Sequence, residues 1–345
     1  MHHLLLREVS ALFQGGTSRS VRVGIEHELL ARDLSDGSVV TIDRVRRAIH
    51  GSSYERWVGF EPGGQVELSL PCSPSLAHLA SRWHTTIEHL RADCASAGIE
   101  LHAAPVDDRA VPRQLVSRRY AEMELHFDRI GPAGRRMMRR TASTQVCLDW
   151  WPGVAGLEQW RLMLSAAPFL AAAFARSAGS MSRLSTWLSV DPTRTAYDDR
   201  LLRGDDPVAQ YAALAAGAAV FAMPVDDSWV GSFSSWARTH RVTGRAVRHH
   251  LSTLFPPVRP RGRYLELRFL DVQPDGVVVP LAALLSRLLY DDEVRRRALR
   301  LVLDDGRSQV ERWELAARMP EALADTSSAL LELAGWQLPT LVGVA

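Results

Sequence analysis

Lysine is absent from the chain, so all 41 basic residues are arginine. That excludes a P-loop phosphate lysine, a Schiff-base lysine and a lysine general base. Phosphate charge is left to arginine, whose planar fork binds phosphate or carboxylate bidentately, or to a metal ion. Cysteine is scarce: Cys72, Cys94 and Cys147 have neither CxxC nor ladder spacing, and Met1–Leu6 is too short an apolar run for a signal peptide. Reduced thiols in a cytoplasm fit best. No apolar run reaches the ~20 residues of a membrane span. The longest, Tyr211–Met223, lies between Pro207 and Pro224 and reads as a buried helix. Charge of one sign is lacking too, the net being +2 with no like-charge block longer than Arg295–Arg297. That balance argues against nucleic-acid or membrane partners and for small molecules. G-x-S-x-G, H-E-x-x-H, G-x-G-x-x-G and Cys/His metal spacings are all missing. Cys147 has no positive neighbour in sequence to activate it as a nucleophile.

What is present is an ordinary globular balance of 46% hydrophobic and 23% charged residues, and within it four short runs of one design. In F-E-P-G-G-Q-V-E-L-S-L at Phe60–Leu70, the Pro62-Gly63-Gly64 stretch predicts a bend after Glu61, with Gly63 free to take a positive φ. Beyond it Gln65, Glu67 and Ser69 alternate with Val66, Leu68 and Leu70, the period of a half-buried strand. In Val21–Glu28 the polar face carries Glu26 and Glu28, in Ser143–Asp149 it carries Gln145, Cys147 and Asp149, and in Tyr264–Phe269 it carries Tyr264, Glu266 and Arg268. Any one such run is ordinarily a strand facing water. A solvent face, however, mixes in lysine and threonine, whereas these polar positions are chiefly acid, amide and arginine. Paired in one antiparallel sheet, the four runs would gather Glu26, Glu28, Glu67 and Glu266 with Gln145 and Arg268 on a common face. Carboxylates so crowded repel one another unless divalent cations lie among them, and an all-oxygen donor set suits Mg²⁺ or Mn²⁺.

The motifs G-I-E-H-E-L, F-E-P-G-G-Q-V-E-L-S, S-T-Q-V-C-L-D, D-P-T-R-T (Asp191–Thr195) and L-S-T-L-F-P-P-V-R-P-R-G-R-Y-L-E-L-R-F-L-D (Leu251–Asp271) resemble, in order and approximate spacing, the glutamate-cysteine ligases of plant and actinobacterial type, particularly those of the ergothioneine pathway. The resemblance covers about residues 20 to 300. It implies an α+β fold, a glutamine-synthetase-like curved antiparallel sheet with helices on its outer face, forming a single catalytic domain over 1–345 with a helical portion from about 280. It implies an enzyme that uses Mg-ATP to activate the γ-carboxylate of glutamate as an acyl phosphate and joins it to the amine of cysteine. Alternatives are the same chemistry on another amino acid or amine in a secondary-metabolite pathway, and a non-catalytic nucleotide-binding relative. The expected metal ligands are Glu26, Glu28, Glu61, Glu67 and Glu266, with Gln145 completing a shell through its carbonyl. Arg268 is expected to stabilise the transferring phosphoryl and Arg194 to make a second phosphate contact. His250 could hydrogen-bond a substrate. Leu70, where the family usually has Gly, and Cys147, where it usually has Asn, would lie near bound amino acids. A cytoplasmic monomer or homodimer is expected.

Elsewhere, helices are expected over Leu4–Gln14, Thr41–His50, Ser75 to about Gly98, Arg113–Ile130, Gly156–Gly179, Thr239–Leu254 and, with breaks at Asp304–Gly306 and Pro320, Pro280–Ala334. Arg118, Arg119, Glu122 and Glu124 would form a solvated face. Ile99–Ala103 reads as a strand, and Gly131–Arg140, Ser180–Leu202 and Asp226–Ser235 read as loops.

Overall fold

A computed structural model describes residues 2–16, 18–223 and 230–336, so Asp226–Trp229 of the third expected loop lie outside the described residues. Among the described residues seven strands form one antiparallel sheet: β1 (Val23–Asp33), β2 (Val58–Phe60), β3 (Val66–Ser73), β4 (Ile99–His102), β5 (Thr144–Asp149), β6 (Val258–Pro260) and β7 (Tyr264–Leu267). Their order is β2-β3-β1-β5-β7-β6, with β4 pairing the far end of β1. All four runs that share the acid-bearing design are therefore adjacent. β2 and β6 are additions: three residues each give too short an alternation to be seen in sequence.

Register decides which residues share a face. Glu28 lies opposite Glu67 and Ile25 opposite Leu70, while Glu26 lies opposite Gln145 and Cys147 opposite Glu266. Arg259 of β6 is opposite Glu266 in turn. Because strand side chains alternate, this puts the acids on one face and Ile25, Leu29, Leu68, Leu70, Val146, Leu148, Leu265 and Leu267 on the other, all buried. That apolar face packs on the helices Leu76–Ser96, Gly153–Ala173 and Asp275–Tyr290, which fixes the α+β class. The helix at Leu76 starts where the sequence says: the Ser75 hydroxyl accepts from the His78 N–H. Asp291 caps the helix Asp292–Asp304 in the same way and divides the C-terminal segment at a point not expected from sequence.

The bend before β3 is built differently from its sequence reading. The positive φ, 91°, is at Gly64. Gly63 is needed for space, since a Cβ there would lie 2.2 Å from the Arg139 carbonyl oxygen. The close approach clamps Glu61 and β3 to the segment Ala133–Arg140, which is a helix and not the loop expected from its four arginines. The preceding helix begins only at Arg118, and its Glu124 is buried among Arg113, Arg135 and Arg139 instead of facing water. The stretch 180–202 contains helices Arg183–Leu188 and Pro192–Thr195, begun by Ser182 and Asp191 caps. Residues 239–254 are divided: one helix ends at Thr239 and another runs Gly244–Leu251, capped by Thr243.

Candidate active site

The acid-bearing face of the sheet forms the floor of a cavity of about 270 Å³ bordered by Glu26, Glu28, Glu61, Glu67, Gln145, Glu266 and Arg268. β1 and β3 supply Glu26, Glu28 and Glu67, the Pro62 bend supplies Glu61, β5 supplies Gln145, and β7 with its continuation supplies Glu266 and Arg268. One carboxylate oxygen from each of Glu28, Glu61 and Glu67 lies within 4.8 Å of the others. Three anionic oxygens at that spacing, with no nitrogen or sulfur ligand, fit a small hard divalent cation.

The electrostatics divide the floor in two. Burial, followed by repulsion from Glu28 and Glu67, raises Glu61 well above the ordinary carboxylate range. Glu28 is raised by burial and by Glu67, although the Ser143 N–H donates to it at 2.7 Å and the Gln145 amide at 3.1 Å. Glu26 is pushed up to about 7 by burial, by Glu266 and by Glu67. At the other end burial also acts to raise Glu266, but Arg268, Arg259 and Arg261 outweigh it and hold that carboxylate ionised. Arg268 bonds Glu266 directly and donates to the Gln145 carbonyl at 2.9 Å. Uncompensated acid at one end thus faces compensated acid at the other.

Several expected roles change with the geometry. The Gln145 carbonyl is turned to Arg268, so its amide ties that arginine to Glu28 instead of completing a metal shell. Arg194 does not reach the cavity. It is fully buried, with Asp191 at 2.8 Å, the Thr253 carbonyl at 2.8 Å and the Phe221 ring under its guanidinium. His250 is buried near it, donating from Nε2 to the Ala215 carbonyl at 2.8 Å and stacking on Phe233, with burial holding it neutral down to about 3. Leu70 points into the core opposite Ile25, away from any substrate. Cys147 shares the acid face but does not border the cavity; burial and the nearby Glu26 and Glu266 push its thiol up, the opposite of an activated nucleophile.

Other residues bordering the cavity were not singled out from sequence: Arg119, Tyr120 and Met123 on one helix, Met137 and Met138 on the next, Arg183 and Trp187 one helical turn apart, then Phe255, Arg259 and Arg261. Arg259 stands at period-two spacing from Arg261 inside the quoted motif, a signal hidden by the shortness of β6. Arg183 is almost wholly buried, and its Nε and Nη1 have no hydrogen-bond partner among the described residues.

Residues 22–332 match the model of the family described as glutamate-cysteine ligase family 2. The chain belongs to glutamate-cysteine ligase family 2. Within this family it is 34% identical over 281 residues to glutamate–cysteine ligase EgtA of Mycolicibacterium smegmatis, an alignment covering 75% of this chain and 65% of that one. Against EgtA of Mycobacterium tuberculosis the identity is 33% over 317 residues, with 83% and 71% covered. The chloroplastic glutamate–cysteine ligase of Arabidopsis thaliana is 24% identical over 340 residues, with 84% and 63% covered. The chain thus spans roughly two-thirds of the length of these relatives. Among solved structures, a bifunctional glutathione synthetase from Pasteurella multocida aligns with a TM-score of 0.45 at 13% identity, covering 99% of this chain and 48% of that one. Among the described residues no helix is long and apolar enough to cross a membrane.

Proposed function

We propose that this member of glutamate-cysteine ligase family 2 is an ATP-dependent carboxylate–amine ligase: it activates the γ-carboxylate of glutamate as an acyl phosphate and passes the acyl group to an amine, which the relatives' names give as cysteine. The observation that carries the reading is the Glu28–Glu61–Glu67 cluster on the same floor as Arg268. The donor set fits Mg²⁺ or Mn²⁺, and the raised carboxylates are groups that gain by a nearby dication. Such an ion, held by Glu28, Glu61 and Glu67, would neutralise phosphate oxygens of ATP.

The remaining work falls to the protein. Acyl-phosphate formation needs no protein nucleophile, which agrees with the inert Cys147; it needs charge stabilisation and alignment. Arg268, kept charged by Glu266 and oriented by Gln145, offers a fixed cation to the transferring phosphoryl. Arg183, with donors left over, is suited to fix a substrate carboxylate. One core cluster running from Leu5 to Ala334 supports a single catalytic domain that includes the helical portion from about 280.

The direct test uses hydroxylamine as a small trapping amine. With ATP, Mg²⁺ and glutamate, the protein is expected to form γ-glutamyl hydroxamate with equimolar ADP. ATP binding by calorimetry with no hydroxamate and no ADP would instead favour a non-catalytic relative.

A further inference from the structure

Arg183 borders the cavity and is only half answered by the protein. Its Nη2 donates to the Arg268 carbonyl at 2.9 Å, and its guanidinium lies 5.8 Å from the Trp187 ring, but Nε and Nη1 have no hydrogen-bond partner among the described residues. A buried guanidinium needs an anion. Among the described residues one carboxylate comes within ion-pair range, Asp271, whose Oδ1 is 4.0 Å from Nη1. The two side chains are 2% and 5% exposed, so water screens their attraction little. A separation of 4.0 Å is nevertheless too long for a hydrogen bond, which leaves the Nη1 donors to a ligand. The other oxygen of Asp271 is fully used: Oδ2 accepts from the Arg176 and Ser177 N–H groups and from the Ser177 hydroxyl, each at 2.9 Å. The Ser177 hydroxyl oxygen in turn accepts the Arg183 N–H at 3.1 Å. One carboxylate thus holds Arg183 twice, by charge at the guanidinium and through Ser177 at the main chain.

Resting on the ligase reading above, in which Arg183 fixes a substrate carboxylate, we infer that Asp271 is a positioning residue of the reaction: it does not touch substrate, and it holds the Arg183 guanidinium at the cavity edge, donors free, away from the acid cluster. Asp271 itself does not border the cavity. It stands three residues after Arg268, on the segment that also supplies the carbonyl for Arg183 Nη2, so both cavity arginines are set from one stretch of chain. The competing pull comes from the floor. Arg183 is already near enough to Glu28 to offset part of the rise of that carboxylate. An arginine deprived of its buried counter-ion turns to the next anion, and a guanidinium drawn onto Glu28 is lost to the substrate.

The experiment measures ADP release by the full chain at saturating Mg²⁺ with ATP, glutamate and cysteine. Arg183→Met shows which substrate's KM depends on the guanidinium. Asp271→Asn, isosteric and still able to accept from N–H groups, is expected to raise that same KM roughly tenfold and to leave kcat and the other KM values within about twofold. In the Arg183→Met background it should add nothing, because two residues acting through one guanidinium share one loss. Ser177→Ala keeps the carboxylate, breaks the main-chain link and should raise the same KM about threefold, which preserves the test where Asp271→Asn fails to fold. A crystal structure of Asp271→Asn needs no turnover and so separates this inference from the ligase reading: Arg183 is expected to leave the Arg268 carbonyl and turn toward Glu28. Absence of hydroxamate from the parent protein strikes the ligase reading alone. Independent losses in the double variant, unchanged KM values in both Asp271→Asn and Ser177→Ala, or an unmoved Arg183 in the Asp271→Asn structure would each overturn the positioning role.

Discussion

Two buried charged regions of this molecule are made of the same residue types and do opposite things. Around Arg194 every donor is answered: Asp191 accepts from Arg194 and from Thr193 and pairs with His126, and the Thr253 and Ala219 carbonyls take the rest. Burial works against the Asp191 anion, yet these partners hold its carboxyl well below its ordinary range. On the sheet floor the accounts do not close. Glu28, Glu61 and Glu67 crowd together, and Glu26 is pushed up to about 7. A saturated network is structure, because nothing is left for a ligand to satisfy; leftover charge of one sign is a request for a ligand. The comparison can be tested by moving each region's charges separately.

The largest effect is expected on the floor. Glu67→Gln and Arg268→Ala should each lower ATP turnover roughly 10³-fold or more, the scale of losing a principal charge-stabilising contact. Thermal melts should show both variants folded, and Glu67→Gln at least as stable as the parent without metal, since it removes a repelling charge. Wild-type ADP release in either would take that residue out of the mechanism. Around Arg194 the pattern should invert. Arg194→Met leaves Asp191 buried without its guanidinium, held only by His126 and Thr193, and breaking a buried pair by removing one partner costs about 3–5 kcal/mol. Denaturant unfolding should register that loss while turnover per folded molecule stays near the parent's. Lost turnover with unchanged stability would restore the phosphate role to Arg194 and dissolve the contrast.

How far the sequence carried follows the same division. The floor was legible because a strand has a period of two: Glu26, Glu28, Glu67, Glu266 and Arg268 had to share a face once their strands paired in register. The Leu76–Ser96 helix was legible through its Ser75 cap and apolar spacing. What was hidden depends on long-range contacts. Nothing local reveals that Arg194 is walled in by Thr253 and Phe221, or that Gln145 answers Arg268. The arginine-rich stretch 133–140 looks like a loop until Glu124 and Asp128 accept its guanidinium groups. Leu70 shows the limit of comparison by motif: its apolar strand position outranked its place next to a family signature.

The smallest expected effect concerns pH, and its sign separates the two regions. For Glu26 the folded value is raised from 4.5 to about 7. The folded state therefore holds a proton that the unfolded chain gives up above about 4.5, and this contribution is fully present below that pH and lost as pH rises through 7. Measured against Glu26→Gln, which shares the buried His27 and His250 that titrate with the opposite sign, the metal-free parent should thus lose roughly 2 kcal/mol between pH 5 and 8, seen in EDTA as a Tm deficit that grows with pH. Asp191, with its lowered value, behaves oppositely: its contribution is present above the ordinary aspartate range and lost only in acid, so it is silent across that interval. Excess Mg²⁺ should flatten or reverse the slope, because the cation binds the deprotonated carboxylates and so stabilises the fold more as pH rises. A Tm deficit of the parent against Glu26→Gln that stays flat or narrows from pH 5 to 8 in EDTA, with no added metal, would mean the floor carries no uncompensated acid, and the two regions would then be of one kind.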